Sequence, residues 1–257
     1  MSFDIDKLAE KTGNLLIDPV YDTNWCDMPA EIKLECIGKL ELEERTPIQK
    51  LEFLFYILKI GIFDKCSITF NDPVLKEFKN YTGKISAKNI GFSECDNEMV
   101  VALLQKMNTG VESIEIHLEW SDQIDYNFND ILAISQVQNA KYWFVHFFQQ
   151  NDCIYKVAQI LIDQNSKIGF NFLMSLYCTN GSFEEFLDHF ADRIVSENDR
   201  RVRIRTNNPD RHILLEHGRN DFNREVEFSR LMVISAEMKE SEYNDNYNEW
   251  MRKMNYY

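Results

Sequence analysis

The sequence predicts an α/β protein in which a short helical N-terminal segment precedes a larger domain of strands and helices. Helix and strand patterns alternate from Ile48 onward, the strands recur at a nearly regular interval, and the last third carries turn signals between short apolar runs. Hydrophobic residues make up 44% of the chain and aromatic residues 13%, with only five prolines and nine glycines. This composition is typical of a folded globular protein.

The alternation defines the middle of the chain. Helix candidates have apolar residues at three- and four-residue spacing and fall near 48–60, 95–107, 128–136, 152–164 and 182–195. Strand candidates fall near 66–70, 85–90, 112–118, 141–147, 168–173 and 201–206. From residue 85 the strands begin about 27, 29, 27 and 33 residues apart, which indicates one strand and one helix per repeated unit.

Such units bury their apolar sides by stacking on one another. We therefore predict a leucine-rich-repeat-like domain with a mostly parallel sheet and helices behind it. Asn108, Asn139 and Asn165 recur after helices but outside a leucine-rich consensus, so a conventional α/β sheet is the alternative.

The last third predicts a terminal antiparallel meander that closes the sheet. Strand-like runs at Arg201–Arg205, Ile213–Leu215 and Leu231–Ile234 accompany a turn signal at Asn207–Asp210. Beyond Glu237 the chain becomes a polar tail rich in tyrosine.

An amphipathic helix is well marked near the N-terminus, over residues 24–40. Asp27 is placed to cap it, and Pro29 lies near its first turn, where a missing N–H costs no hydrogen bond. Its broad apolar stripe must be buried, either in the core of this protein or against another protein.

This helix resembles the start of an F-box in the large nematode families of F-box proteins. The matching residues are Trp25, Met28–Pro29, Glu31–Ile32, Leu34, Ile37, Leu40 and Glu44–Arg45. Ile57–Phe63 and Arg230–Trp250 are similar to the F-box-associated domain of those proteins. The resemblance implies a non-catalytic, substrate-recognition adaptor of a Skp–cullin–F-box ubiquitin ligase, acting in ubiquitin conjugation inside the cell. It also implies the residues that bind the Skp adaptor: Trp25, Met28, Pro29, Ile32, Leu34, Ile37 and Leu40.

The F-box-like segment is shorter than in that family, because Arg45 runs almost directly into Thr46–Tyr56, which is similar to a later helix of the associated domain. The predicted divisions are an N-terminal arm (1–23), a truncated F-box-like segment (24–46), an F-box-associated α/β domain (47–240) and a polar aromatic tail (241–257). The alternative function is a free protein-binding module, or a non-functional truncated paralogue, that has lost Skp docking.

Charge and motifs exclude several function classes. The net charge of −14, from 28 basic and 42 acidic residues, argues against a nucleic-acid partner, since such proteins need basic surfaces. No signal peptide pattern and no apolar run near the roughly 20 residues of a membrane span is found, so we expect no membrane partner and a cytoplasmic and/or nuclear location. The six cysteines lie far apart and outside metal-ligand spacing, and no nucleophile or phosphate-binding motif is present. We expect no catalytic residue, metal or cofactor.

Arginine placement gives one candidate surface for an unknown target protein. Seven of the eleven arginines lie between residues 200 and 224. Arg201, Arg203 and Arg205 project to one face of a predicted strand, and Arg211 follows the next turn. Arginine suits recognition of carboxylate or phosphate, and the alternative is a strand face paired with acidic neighbours such as Glu216.

Aromatic residues give a second candidate. The densest cluster lies near 142–148, and Tyr142 and Phe144 belong to one alternating set of a predicted strand. One set of side chains faces the helices, and the other is available as anchors for a target unless both faces are buried.

Overall fold

The structure is a computed structural model that describes residues 55–59, 61–69, 81–93, 95–117, 126–137, 139–148, 153–177, 182–219, 226–244 and 247–254. The chain divides into two compact units, Met1–Lys50 and Leu51–Tyr257, and every described residue belongs to the second. The predicted N-terminal arm and F-box-like segment therefore lie outside the described residues.

The described residues form nine strands, with helices between and after them. The strands are β1 (Ile62–Thr69), β2 (Ser86–Ser93), β3 (Ser113–His117), β4 (Tyr142–Phe148), β5 (Asn171–Tyr177), β6 (Ile194–Asn198), β7 (Arg201–Arg205), β8 (Arg211–Arg219) and β9 (Val226–Ser235). The helices are α1 (Asn97–Leu104), α2 (Phe128–Leu132), α3 (Cys153–Asp163), α4 (Ser182–His189), α5 (Glu240–Asn244) and α6 (Tyr247–Met254), with a 3₁₀ turn at Ala191–Arg193 and a helical stretch at 55–59. None of these described helices is long and apolar enough to cross a membrane.

All nine strands belong to one mixed sheet. β1 to β5 lie side by side in chain order and run parallel. β9 pairs antiparallel with β5, and β8, β7 and β6 follow outward from β9, each antiparallel to its neighbour. The order across the sheet is therefore β1-β2-β3-β4-β5-β9-β8-β7-β6.

This sheet contradicts the predicted fold class, a helical F-box-like segment followed by a leucine-rich-repeat-like domain. The described residues are mostly β, with few helices. In a repeat solenoid each unit packs only on its neighbours in sequence, whereas here β5 pairs with β9. The repeat interval indicated the length of each unit of one strand and one helix. It did not indicate which strand pairs with β5 at its other edge. Asn165 has a φ of 51° just beyond α3, the left-handed conformation that commonly ends a helix.

The sheet face towards α1–α4 is apolar. Strand register places one buried row across seven strands: Ile90, Ile114, Trp143, Phe172, Leu231, Leu215 and Val202. Phe128 of α2 packs edge-on against Phe172, with ring centroids 5.4 Å apart. Burial of this row is the main interaction that holds the helices on the sheet. Apolar surface of both the helices and the sheet is removed from water at this contact.

The two C-terminal helices pack on the opposite face, over the antiparallel half. Trp250 and Met254 of α6 pack on β9, and Tyr243 of α5 packs on β8 and β9. Phe144 of β4 and Leu173 of β5 pack against the same cluster as Trp250 and Met254. On this side the sheet therefore has a part covered by the C-terminal helices and, at β1, exposed side chains such as Lys65 and Ser67.

A buried ion-pair network holds the covered half together. The carboxylate of Glu216 on β8 has no exposed surface and pairs with Arg201 of β7, at 2.9 Å, and with Arg230 of β9. The Arg230 guanidinium lies 4.6 Å from the ring centroid of Trp250, and that of Arg201 lies 5.7 Å from the ring centroid of Tyr243. Each arginine thus joins the central carboxylate to one C-terminal helix through a cation–π contact.

Replacing Glu216 with glutamine tests this network. The amide keeps the shape but leaves two largely buried arginines without a counter-charge. The free energy of unfolding should therefore fall by roughly 3–5 kcal/mol, as for other buried pairs that lose one partner. Urea denaturation measures the change. The matched control is Glu237→Gln at an exposed position, which should change stability by less than about 0.5 kcal/mol. Equal stability of the two variants would contradict the assigned role.

Candidate functional site

A polar surface lies on the face of β1–β4 opposite α1–α3. We call it the polar face and define it by side chains that alternate with the buried apolar row: Lys65, Ser67, Asn89, Ser113, Glu115, His117 and Tyr142. Adjacent members are in register, since Lys65 pairs with Asn89 and Asn89 pairs with Ser113. A surface of this kind, built on strands, presents polar groups in fixed positions.

Hydrogen bonds order one edge of the polar face. Nδ2 of Asn89 donates to the backbone oxygen of Asp64 at 2.8 Å, and Oγ of Ser113 donates to Oδ1 of Asn89 at 2.6 Å. The side chains of β2 and β3 are therefore held relative to the strand beside them.

Two histidines converge on one carboxylate near the carboxyl ends of β3 and β4. Nε2 of His117 lies 3.0 Å from Oε1 of Glu115, and Nε2 of His146 lies 3.5 Å from the same oxygen. Nζ of Lys65 lies 3.8 Å from the second oxygen, Oε2. The imidazole rings of His117 and His146 are stacked with centroids 4.2 Å apart. We call Glu115, His117 and His146 the Glu–His cluster.

Burial and charge set the protonation of this cluster. Hydrogen bonds from His117, which has the larger effect, and from His146 lower the pKa of the Glu115 carboxyl well below its usual range. Burial lowers the pKa of His146, whose side chain is only 5% exposed. At neutral pH the cluster therefore presents an ionised carboxylate beside a neutral, buried imidazole.

Sequence reasoning missed this cluster, although a signal existed. Glu115 and His117 are two residues apart on a predicted strand, so they share a face. His146 lies the same distance beyond His117 as the start of one predicted strand lies beyond the previous one, and β3 and β4 do place His117 opposite His146. The signal has meaning only once β3 and β4 are paired, because the three residues meet across two strands.

The aromatic candidates have different environments. Tyr142 is in register with Ser113 and is 54% exposed on the polar face. Phe144 is half-buried, because it packs against the cluster formed by β9 and α6. Tyr142 is therefore accessible to another protein, while Phe144 is largely committed to the packing of this chain.

The arginine candidates are mostly engaged within the protein. Arg201 pairs with Glu216, and Arg203 is only 7% exposed. Arg203 donates from Nε to Nδ1 of His212 at 2.8 Å, from Nη1 to the backbone oxygen of Met238 at 2.6 Å and from Nη2 to that of Ala236 at 2.7 Å. These contacts tie β7 to β8 and to the turn after β9.

The other two arginines lie nearer the surface. Arg211 donates from Nη1 to the backbone oxygens of Asn165 and Ser166, at 2.6 and 2.9 Å, and so joins β8 to the loop after α3. Arg205 is exposed at the end of β7. The structure does not bring these four arginines together with Tyr142 into one surface patch of the polar face.

A shallow groove of about 580 Å³ lies between α1 and α2, on the helical side. Asp130 in its lining accepts a hydrogen bond from Nδ2 of Asn127. The remaining lining is one further carboxylate, Glu98, among small, amide and apolar side chains. It contains no convergent set of chemically active groups among the described residues, so the polar face is the better candidate site.

The residues predicted to bind the Skp adaptor, from Trp25 to Leu40, lie outside the described residues. Their role stays a prediction.

Comparison with known proteins finds a family model that matches part of the chain. Residues 68–160 match the sequence model of the FTH domain, a family associated with F-box proteins. The match runs from the end of β1 into α3 and includes the Glu–His cluster. It confirms the F-box-associated part of the predicted resemblance over those residues, and it does not extend to the F-box-like segment. Among curated proteins no significant match is found.

A solved structure of an O-methyltransferase from Bacillus cereus in complex with SAH is similar over 88% of this chain and 97% of that one. The sequence identity is 10% and the TM-score is 0.24. This TM-score is too low to transfer a fold or a function.

His212 provides a pH test of the arginine network. Its Nδ1 accepts from Arg203 only while that nitrogen carries no proton, and burial, together with Arg203 and Arg205, lowers the pKa of His212. The unfolded chain therefore binds this proton more readily, and the free energy of unfolding should fall as the pH drops below the ordinary histidine value of 6.5.

Urea denaturation at about pH 7.5 and pH 5.5 checks the sign. His212→Asn keeps an acceptor for Arg203 but cannot be protonated there, so its stability should depend less on pH than that of the native chain. Thr82→Ser, at an exposed position without an ionisable group, is the control and should leave the pH dependence unchanged. The assignment fails if His212→Asn loses as much stability on acidification as the native chain does.

Proposed function

We propose that this protein is a substrate-recognition subunit of a Skp–cullin–F-box ubiquitin ligase. The observation that carries the proposal is the FTH domain match over residues 68–160, because that family is associated with F-box proteins. The F-box-like sequence from Trp25 to Leu40 supports the proposal independently. In this role the chain performs no bond chemistry itself.

The proposed mechanism is positional. The N-terminal helix docks on the Skp adaptor through its apolar stripe, as amphipathic helices do in a hydrophobic groove. The sheet unit holds the target protein, which raises the effective concentration of a target lysine near the ubiquitin carrier.

We assign target binding to the polar face. It offers the exposed ring of Tyr142 on β4 and, on the same face, the ion pair of Glu115 on β3 with Lys65 on β1. An aromatic anchor within a polar surround is a common arrangement at protein interfaces. Arg201, Arg203 and Arg211 contribute less in this proposal, because their guanidinium groups already bind within the chain.

One observation favours a second function. In a complete F-box a further apolar and basic stretch follows the Glu–Arg pair, whereas here Thr46 follows Arg45 directly. Part of the support for the docking helix is therefore missing. A chain without adaptor docking would act as a free protein-binding module.

Co-purification with the Skp adaptor separates the two functions. The full native chain should retain the adaptor, while a Pro29→Ala, Ile32→Asp double variant should lose most of the binding, because a charge in the apolar stripe is costly to bury. Ile168→Asp is the matched control, since it makes the same change at a side chain that is 52% exposed and outside the segment.

The control should bind like the native chain. If the native chain folds, as judged by circular dichroism and a cooperative unfolding transition, and yet does not retain the adaptor, the ligase proposal is wrong and the free binding module stands.

A further inference from the structure

We propose that the Glu–His cluster is a binding site for one divalent transition-metal ion, with Zn²⁺ as the preferred ion and Glu115, His117 and His146 as its protein ligands. The proposal rests on the geometry and chemistry of these three side chains and is independent of the ligase proposal.

The spacing of the ligand atoms fits a single ion. One nitrogen or oxygen atom from each of the three residues lies within 4.8 Å of the others. The two contacts to Oε1 of Glu115 are 3.0 Å, from His117, and 3.5 Å, from His146. A tetrahedral zinc ion with bonds of about 2.0–2.1 Å holds its ligand atoms about 3.3–3.4 Å apart. The observed separations bracket that value.

The donor set is one that zinc uses in proteins. Two imidazole nitrogens and one carboxylate oxygen suit Zn²⁺, and three protein ligands leave a fourth position for water or another donor. His117 is 41% exposed on the polar face, so an ion from solvent can reach this ligand.

Rigid strands supply two of the constraints on the site. Glu115 and His117 share a face of β3, and His146 is the register partner of His117 on β4. Lys65 contacts Oε2 of Glu115, which leaves Oε1 for an ion. The ammonium group of Lys65 is on the solvent side and can move away when a second cation arrives, because its side chain is 66% exposed.

Binding requires one ring to turn. The imidazole planes of His117 and His146 are only 15° apart and stacked, and a nitrogen lone pair lies in the plane of its ring, so both rings cannot aim at one ion as they stand. His146 is buried and held by packing against Phe144. His117 is half-exposed and rotates about its side-chain bonds to complete the site.

The experiment uses the full chain, first treated with a chelator and then titrated with Zn²⁺ in a calorimeter and with Co²⁺ in a visible spectrometer. We expect one ion per chain and the strong visible bands of four-coordinate cobalt. Glu115→Gln and His117→Gln should each weaken Zn²⁺ binding on the order of 100-fold or more, since removal of a ligand exceeds the usual 10- to 100-fold cost of losing an outer-shell partner. His189→Gln, a histidine change outside the cluster, should leave affinity unchanged.

Three outcomes overturn the proposal. The native chain binds neither ion, in which case the three side chains form only a hydrogen-bonded group. Binding persists in a Glu115→Gln, His117→Gln double variant, or the cobalt complex shows thiolate charge-transfer bands, which would place the ion on cysteines. Because both substituted side chains are at least partly exposed, the variants are expected to fold, and circular dichroism checks this before titration.

Discussion

The ion pair of Glu216 with Arg201 and Arg230 is the interaction on which the C-terminal half depends. A fully buried carboxylate persists because two guanidinium groups surround it, and each guanidinium is in turn covered by an aromatic ring of α5 or α6. The network therefore joins both C-terminal helices to β7, β8 and β9. Next to it, Leu173 of β5 and Phe144 of β4 pack against the α6 cluster, and the polar face continues from there across the other parallel strands.

The register of the parallel strands alone places the residues of the polar face next to one another. A single repeat of strand and helix places equivalent positions of β2, β3 and β4 next to one another, so apolar residues form continuous rows on the helical side and polar residues form rows on the other. The Glu–His cluster is one consequence of this rule. It needs no loop to bring its members together, only two adjacent strands in the observed alignment.

Individual strands could be located from sequence, because alternating and apolar runs such as those near 112–118 and 141–147 identify β3 and β4 within a few residues. The architecture could not be predicted, since nothing local to β9 indicates that it pairs with β5. The burial of the arginines could not be predicted for the same reason. Alternation correctly placed Arg201 and Arg203 on one face of β7, but their burial depends on α5 and on the turn after β9, which are distant in sequence.

The pairing of β5 with β9 has a consequence during synthesis. The parallel strands emerge from the ribosome first, and β5 then carries an open hydrogen-bonding edge until β6, β7 and β8 have been made and β9 arrives. An unpaired edge of this kind is a template for association with other chains, and pairings of high sequence separation form slowly. Newly made chains of this protein thus pass through a stage in which the centre of the final sheet is an exposed border, and chaperone protection is most valuable at that stage.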